Sequence, residues 1–221
     1  MPDDQSSPSA TEQGDDVPAV TRKRPKPGER RVQILQALAA MLEQPGAERI
    51  TTAALAARLS VSEAALYRHF ASKAQMFEGL IEFIEHSVFS LVNQIAEREP
   101  ATSAADPGAG ARNAGKVVLL LLQFAEKNPG MSRVMVGDAL VFENERLQQR
   151  MNQFFDKIEA TLKQSLRSTS EVNGSATPTV DAQVLASALT AFAVGRLHRF
   201  ARSGFKRLPS EYLEASLALM L

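Results

Sequence analysis

Residues Thr51 to Lys73 read TTAALAARLSVSEAALYRHFASK, two short helical segments joined by a tight turn. Leu55, Ala56, Leu59, Val61, Leu66 and Phe70 fall where two crossing helices must bury apolar side chains, and Ala56 is small enough to permit close approach. Thr51 or Thr52 can cap the first helix, Ser60 and Val61 form the turn, and Ser62 can cap a second helix predicted from about Glu63 to Phe70. The first turn of that second helix, Glu63, Ala64 and Ala65, is slim, which lets its backbone approach base edges in a major groove. Tyr67, Arg68 and His69 follow, with Lys73 one turn later, and all four can donate to phosphate oxygens. A plain helical hairpin needs neither the slim leading turn nor the basic cluster behind it. The spacing therefore predicts a helix-turn-helix DNA reader whose DNA-facing residues are Thr51, Thr52, Ser62, Glu63, Ala64, Ala65, Tyr67, Arg68, His69 and Lys73.

Charge along the chain points the same way. The net charge of the 221 residues is zero, but residues 1–21 carry five acids (Asp3, Asp4, Glu12, Asp15, Asp16) and no base, whereas residues 22–76 carry ten bases and four acids. The rest is close to neutral, so positive charge is concentrated on the helix-turn-helix and the arm before it, as expected of a module that displaces counterions from phosphates. Residues 1–27 are rich in Ser, Pro, Asp and Gln and poor in large apolar groups, which predicts a disordered tail. Its basic end, Arg22, Lys23, Arg24 and Lys26, could lie along DNA.

Outward from the motif, Ile34, Leu35, Leu38, Met41 and Leu42 recur at helical spacing between Glu29 and Gln44, predicting a supporting helix that ends before Pro45-Gly46. A long helix is predicted from Lys73 to about Glu97, with Phe77, Leu80, Ile81, Ile84, Val88, Leu91, Val92 and Ile95 on one stripe. Phe83 and Phe89 lie well off that stripe, so the helix needs a second packing surface, within the chain or on a partner. Residues 99–115, EPATSAADPGAGARNAG, read as a loop, and Val117 to Phe124 as a buried helix stopped by Asn128-Pro129-Gly130. Further helices are predicted at about Ser132 to Phe142, Glu143 to Arg167, Asp181 to Arg202 and Ser210 to Leu221, with a polar loop from Ser168 to Thr179. Leu185, Leu189, Phe192, Ala193, Leu197 and Phe200, beside small Ala186, Ala188 and Gly195, form a stripe that could pair with Tyr212, Leu213, Leu217, Met220 and Leu221 to build a dimer interface, or pack within the chain. The expectation is an all-α protein with a DNA-binding head over residues 28–76 and a helical dimerisation and partner-binding domain over 77–221.

The residues offer little for catalysis. There is no cysteine, hence no disulfide or thiolate site, and His69, His86 and His198 do not sit at metal spacing. Glu82, Glu85 and His86 share adjacent helical turns, a grouping that solubility alone explains, so no metal, cofactor or enzymatic activity is expected. The longest apolar run, Val117 to Leu122, is far short of the roughly 20 residues of a membrane span, and a soluble, intracellular protein is expected.

The motif TTAALAARLSVSEAALYRHFASK closely resembles the DNA-binding signature of TetR-type regulators over about residues 29–76. Beyond the head, LIEFIE (Leu80 to Glu85), VVLLLL (Val117 to Leu122), EKNPG, ERLQQRMNQFF (Glu145 to Phe155) and RFARSGFKRLP (Arg199 to Pro209) are similar to the nucleoid occlusion branch of that family. The resemblance implies an all-helical homodimer, TetR-like in fold, on palindromic chromosomal sites, with more than one dimer per site possible. It also implies that the DNA-bound protein engages the C-terminal tail of the tubulin-like division protein FtsZ and blocks septum formation over the nucleoid. By the same resemblance the tail's groove corresponds here to Phe83, Leu91, Leu120, Gln123, Lys127 and Asn128, where the family has a base, a glycine and an arginine in place of Leu91, Gln123 and Lys127. At the turn the family prefers glycine where Ser60 stands. The alternative is a ligand-responsive TetR-type repressor, which requires a cavity in the second domain lined by apolar groups with a few polar anchors.

Overall fold

The computed structural model describes residues 28–44, 49–98, 106 and 108–221, all helix or connection, with no strand among them. The predicted N-terminal tail and its basic end lie outside the described residues, as do residues 99–105 and 107 of the predicted loop.

Local caps set the helix-turn-helix. Thr51 Oγ1 accepts from the Ala54 amide at 3.1 Å and starts α2 (Thr52–Arg58), and Ser62 Oγ accepts from the Ala65 amide at 3.3 Å and starts α3 (Glu63–Tyr67). Between them the Ser60 amide donates to the Ala57 carbonyl and the Val61 amide to the Ala56 carbonyl, both at 3.0 Å. This two-bond helix ending requires a left-handed residue after the cap, and that residue is Ser60, with φ 53°. A Cβ in that region costs on the order of 1 kcal/mol, partly offset by the greater unfolded-state freedom of glycine. Ser60→Gly is therefore expected to stabilise the protein by about 0.5 kcal/mol, or roughly 1–2 °C in Tm by calorimetry; a lower Tm contradicts this reading.

Helix α3 is shorter than the predicted span to Phe70. The His69 and Phe70 amides both turn back to the Leu66 carbonyl, because Phe70 must swing inward, where it is 1 % exposed beneath Arg31 at 4.1 Å. Ser72 Oγ then accepts from the Gln75 amide while Gln75 Oε1 accepts from the Ala71 amide, a reciprocal cap that launches α4 (Lys73–Arg98). The supporting helix α1 (Glu29–Leu42) lays Ile34, Leu38 and Leu42 into the core.

Along α4 the predicted stripe is buried at Phe77, Leu80, Ile81, Ile84, Val88 and Val92, but Leu91 is 43 % exposed and belongs to the outer surface. Helix α5 (Ala109–Lys127) begins inside the stretch read as loop. Its small residues pack: a Cβ on Gly110 would stand 2.1 Å from the Ser165 carbonyl, and Ala109, Gly110, Asn113 and Ala114 are buried against α7 (Glu145–Val172). Close approach, not chain flexibility, explains that composition.

Asn128 ends α5, yet Pro129 starts α6 (Pro129–Met135) at once, its ring suited to a first helical turn. The segment predicted as one helix to Phe142 breaks at left-handed Gly137 into a short 3₁₀ turn, Asp138–Leu140. Helix α7 continues past Arg167 to Val172, so the predicted polar loop shrinks to residues 173–177, and α8 (Pro178–Arg202) starts three residues earlier than Asp181. The C-terminal helix α9 covers only Leu213–Ala218.

Helices α7 and α8 form the most extensive packing in the chain. The α8 stripe singled out for a dimer faces inward: Leu189, Ala193, Leu197 and Phe200 are at most 1 % exposed within the protomer. The opposite face, with Val180 at 59 % and Val184 at 66 % exposed and Ala188, Ala191 and Gly195 also exposed, is apolar and uncovered. By length and mean hydropathy (1.2 over 18 residues) α8 could cross a bilayer, unlike the shorter apolar runs read from sequence. Its buried side, with Ala182, Ala186, Leu189, Ala193 and Leu197, is packed against α7.

Candidate nucleic-acid interface and partner groove

The slim leading turn predicted for the recognition helix is present: Glu63 and Ala64 are exposed and Ala65 half-buried at the start of α3. Thr51 and Ser62 are exposed, their hydroxyls engaged as caps. Thr52 Oγ1 donates to Glu63 Oε2 at 2.6 Å and accepts from the Tyr67 hydroxyl at 3.5 Å, so the two helices of the motif are tied by a polar link on their outer surface. Tyr67, Arg68 and His69 are exposed on the turn that ends α3. The structure thus brings nine of the ten predicted residues, Thr51 to His69, onto one end of the molecule.

Lys73 is differently placed. Its ammonium pairs with Glu143 at 2.5 Å, where the carboxylate side chain is only 10 % exposed, and it lies 5.7 Å from the Phe77 ring centroid. A phosphate must compete with that carboxylate for Lys73, whereas Arg68 has no such partner among the described residues. Sequence reading missed two supporting residues. Arg31 Nη1 donates to the His69 carbonyl at 2.9 Å and so fixes the turn after α3, and Arg49 stacks over Phe142 at 4.7 Å. Neither contact has a local signal, since the first joins residues 38 positions apart within the head and the second joins the head to Phe142 far along the chain.

Below Lys73, ion pairs continue along α4. Arg146 pairs with Glu78, and Arg150 donates to Glu85 at 2.7 Å with Glu82 at 3.8 Å. The hydrogen bond to Glu85, then the surrounding carboxylates, raise the Arg150 guanidinium above its ordinary value against the opposing effect of burial. Its charge is therefore constant over any physiological pH. Partly exposed pairs of this kind add little stability singly, but in series they fix the register of α4 on α7.

The two off-stripe aromatics of α4 divide. Phe89 packs edge-on against Phe154 of α7 at 5.5 Å, a contact within the chain. Phe83 is 47 % exposed and lies 6.4 Å from Phe124 of α5, tilted by 38°. Beside that pair, α4 and α5 enclose a groove of about 230 Å³ lined by Leu91, Leu120, Gln123, Lys127 and Asn128, five of the six residues expected there; the sixth, Phe83, does not line it but packs on Phe124, which does. Lys116, Leu119 and Phe124 complete the lining and were not singled out from sequence. They recur three or four residues apart with Leu120, Gln123 and Lys127, the signature of a single helix face. Exposed Leu91 and Leu119 (37 %), two lysines and no carboxylate among the described lining residues make the groove apolar with a positive rim. Asn128 Nδ2 donates to the Phe124 carbonyl at 2.8 Å and closes its lower end.

Residues 34–80 match the family model of bacterial regulatory proteins of the tetR family, and residues 113–221 match the SlmA-like form of the tetracyclin repressor-like C-terminal domain. The chain is 51 % identical over 197 residues to the nucleoid occlusion factor SlmA of Aliivibrio fischeri, covering 89 % of this chain and 96 % of that protein. It is 51 % identical over 192 residues to the SlmA of Vibrio cholerae (86 % and 93 %), and 49 % over 191 residues to that of Idiomarina loihiensis (86 % and 93 %). Among solved structures it resembles a TetR-like regulator from a Rhodococcus species at TM-score 0.65 and 19 % identity, covering 89 % of this chain and 97 % of that one. It also resembles the regulator FadR of Bacillus subtilis, solved with stearoyl-CoA, at TM-score 0.65 and 13 % identity (86 % and 96 %). At those identities the structural likeness shows the fold alone.

Proposed function

We propose a nucleoid occlusion role for this chain, which belongs to the SlmA-like family of TetR-type DNA-binding proteins. In this reading the chain is a cytoplasmic, nucleoid-associated homodimer. Two heads read the halves of a palindromic site, and the uncovered α8 face from Val180 to Gly195 meets its copy across the two-fold axis. Glu63, Ala64 and Ala65 approach the base edges; Tyr67, Arg68 and His69 hold phosphates; Thr51, Thr52 and Ser62 orient the helix. The groove between α4 and α5 takes the C-terminal tail of FtsZ, holding the division protein's assembly in check over the chromosome.

The observation that supports this reading most is Phe83. A large aromatic ring, 47 % exposed beside an apolar groove with two lysines on its rim, suits an extended peptide with apolar anchors and acidic flanks. The alternative, a repressor released by a small effector, calls for a pocket between the inward faces of α4, α5 and α7. Those faces are filled, with Val117, Val118, Leu121 and Leu122 at most 2 % exposed, and the cavities of about 620 and 500 Å³ lie instead against the C-terminal segment at the surface.

Phe83→Ala is expected to weaken binding of a fluorescent FtsZ tail peptide by about tenfold, measured by anisotropy, because truncating an aromatic contact residue that matters to binding costs roughly 1–2 kcal/mol. Binding of duplex DNA should not change. Equal peptide affinity in the variant overturns the assignment of this groove.

A further inference from the structure

The outward face of α5 separates two concavities. On one side lies the α4–α5 groove; on the other a cleft of about 620 Å³ opens between α5 and the C-terminal segment that carries α9, with Arg112, Gly115, Leu213, Glu214 and Leu217 on its walls. Lys116, Leu119 and Gln123 line both. They recur three or four residues apart, so they form one ridge across which the two concavities are continuous. Neither wall of the cleft contains a residue of α8, whose uncovered face is assigned above to the second copy.

The far wall of the cleft is held in place by contacts within the chain. Glu126 Oε1 accepts from the Ser210 amide at 2.8 Å and ties the start of the segment to α5. Arg196 of α8 donates to the Glu211 carbonyl at 2.6 Å and to Ser216 Oγ at 3.0 Å, which fixes α9 from behind. Leu213 is buried, and a Cβ on Gly115 would meet the Leu217 and Leu221 side chains at 3.6 Å, so α9 rests on α5 at ordinary contact distance. Charge is spread unevenly along the combined surface. Arg112, near the N-terminal end of α5, pairs with Asp106. Glu214 on α9 is exposed and pairs with no cation among the described residues, and Lys127, at the other end of α5, is exposed and pairs with no acid among them. Between those two charges the lining is apolar, with Leu91, Leu119, Leu120 and Leu217.

We propose that the tail bound in the α4–α5 groove continues across the α5 ridge over Leu119, seats a second apolar anchor in the α5–α9 cleft and presents a basic residue to Glu214. This rests on the reading of the α4–α5 groove as the tail's site. The groove alone, at about 230 Å³, is smaller than the roughly 300–1,000 Å³ of ordinary ligand sites, whereas the cleft beside it is of that size. Crossing the ridge spans roughly one helix diameter, about 10 Å, which an extended chain covers in about three residues. Opposite charges at the two ends give the surface a direction, with an acidic flank of the tail at Lys127 and a basic one at Glu214. A tail with the reverse order of charges meets a like charge at each end and is rejected.

The test measures, by anisotropy, binding of a fluorescent FtsZ tail peptide, and of the same peptide with its basic residues replaced by glutamate, to the full-length protein, Glu214→Arg and Phe83→Ala. Glu214→Arg is expected to weaken the unaltered peptide about fivefold at low salt, since reversing an exposed charge removes an attraction and adds a repulsion. The charge-exchanged peptide should bind the parent protein poorly and gain about fivefold on Glu214→Arg, while affinity for duplex DNA and the helical circular dichroism stay unchanged. An unaltered peptide weakened by Phe83→Ala but indifferent to Glu214→Arg overturns the crossing and leaves the α4–α5 groove standing. Weakening by Glu214→Arg with no gain for the charge-exchanged peptide also overturns it, because the carboxylate would then act on the fold of α9 and not on the tail. An unaltered peptide that binds no form of the protein overturns the crossing and the groove together.

Discussion

Arg68→Glu is expected to lower the affinity for duplex DNA of any sequence by about a hundredfold and to flatten its dependence on salt. Arg68 is exposed on the turn ending α3 and engages no partner among the described residues, so its guanidinium is free for a phosphate. A charge-assisted hydrogen bond contributes on the order of 1.5 kcal/mol, and a dimer makes the contact twice, which gives roughly 3 kcal/mol or two decades. Each lost phosphate contact should reduce the slope of log affinity against log salt by about 0.9, hence nearly 2 for the dimer. Lys73→Ala should do less, because the ammonium leaves Glu143 before it reaches a phosphate. Loss confined to one base position, with the slope intact, would assign Arg68 to base reading instead.

Gly130→Ala is expected to be strongly destabilising for so small a change. A Cβ there would stand 2.0 Å from the Ala39 carbonyl oxygen and 3.0 Å from its carbon, both backbone atoms of α1. No side chain can move aside, so α6 must shift away from α1, and with it the joint between the head and the body. Overpacking of this kind costs on the order of 3 kcal/mol, which for a chain of this size lowers Tm by roughly 10 °C in a thermal melt. A Tm within a degree of the parent would mean that the two helices are not in contact as described.

The head was largely legible because its chemistry is local. Thr51 and Ser62 cap within three residues, and Ser60 occupies the left-handed position that its turn demands. What failed were features decided by distant contacts. The glycines and alanines of residues 109–115 read as loop, but Gly110 is small because the Ser165 carbonyl lies against it. Leu91 fits the α4 stripe by period and is nonetheless exposed, since the stripe's register alone cannot say where α5 stops covering it. The α8 stripe was read as possible dimer contact, yet α7 covers it, leaving the smaller residues on the other side uncovered. At the groove, off-stripe Phe83 was visible as an anomaly. Phe124 and Leu119 were not, because the run around them is apolar on every side and gives no phase.

The central claim is that one molecule holds DNA and the FtsZ tail together. It is tested most directly by titrating the labelled FtsZ tail peptide with the protein already saturated by a duplex recovered from its own chromosomal sites. Saturable binding of the peptide to the DNA-loaded dimer, with the duplex retained and the signal lost in Phe83→Ala, is the predicted result. A peptide that stays free at every protein concentration, or that binds only as the DNA is released, would contradict the account.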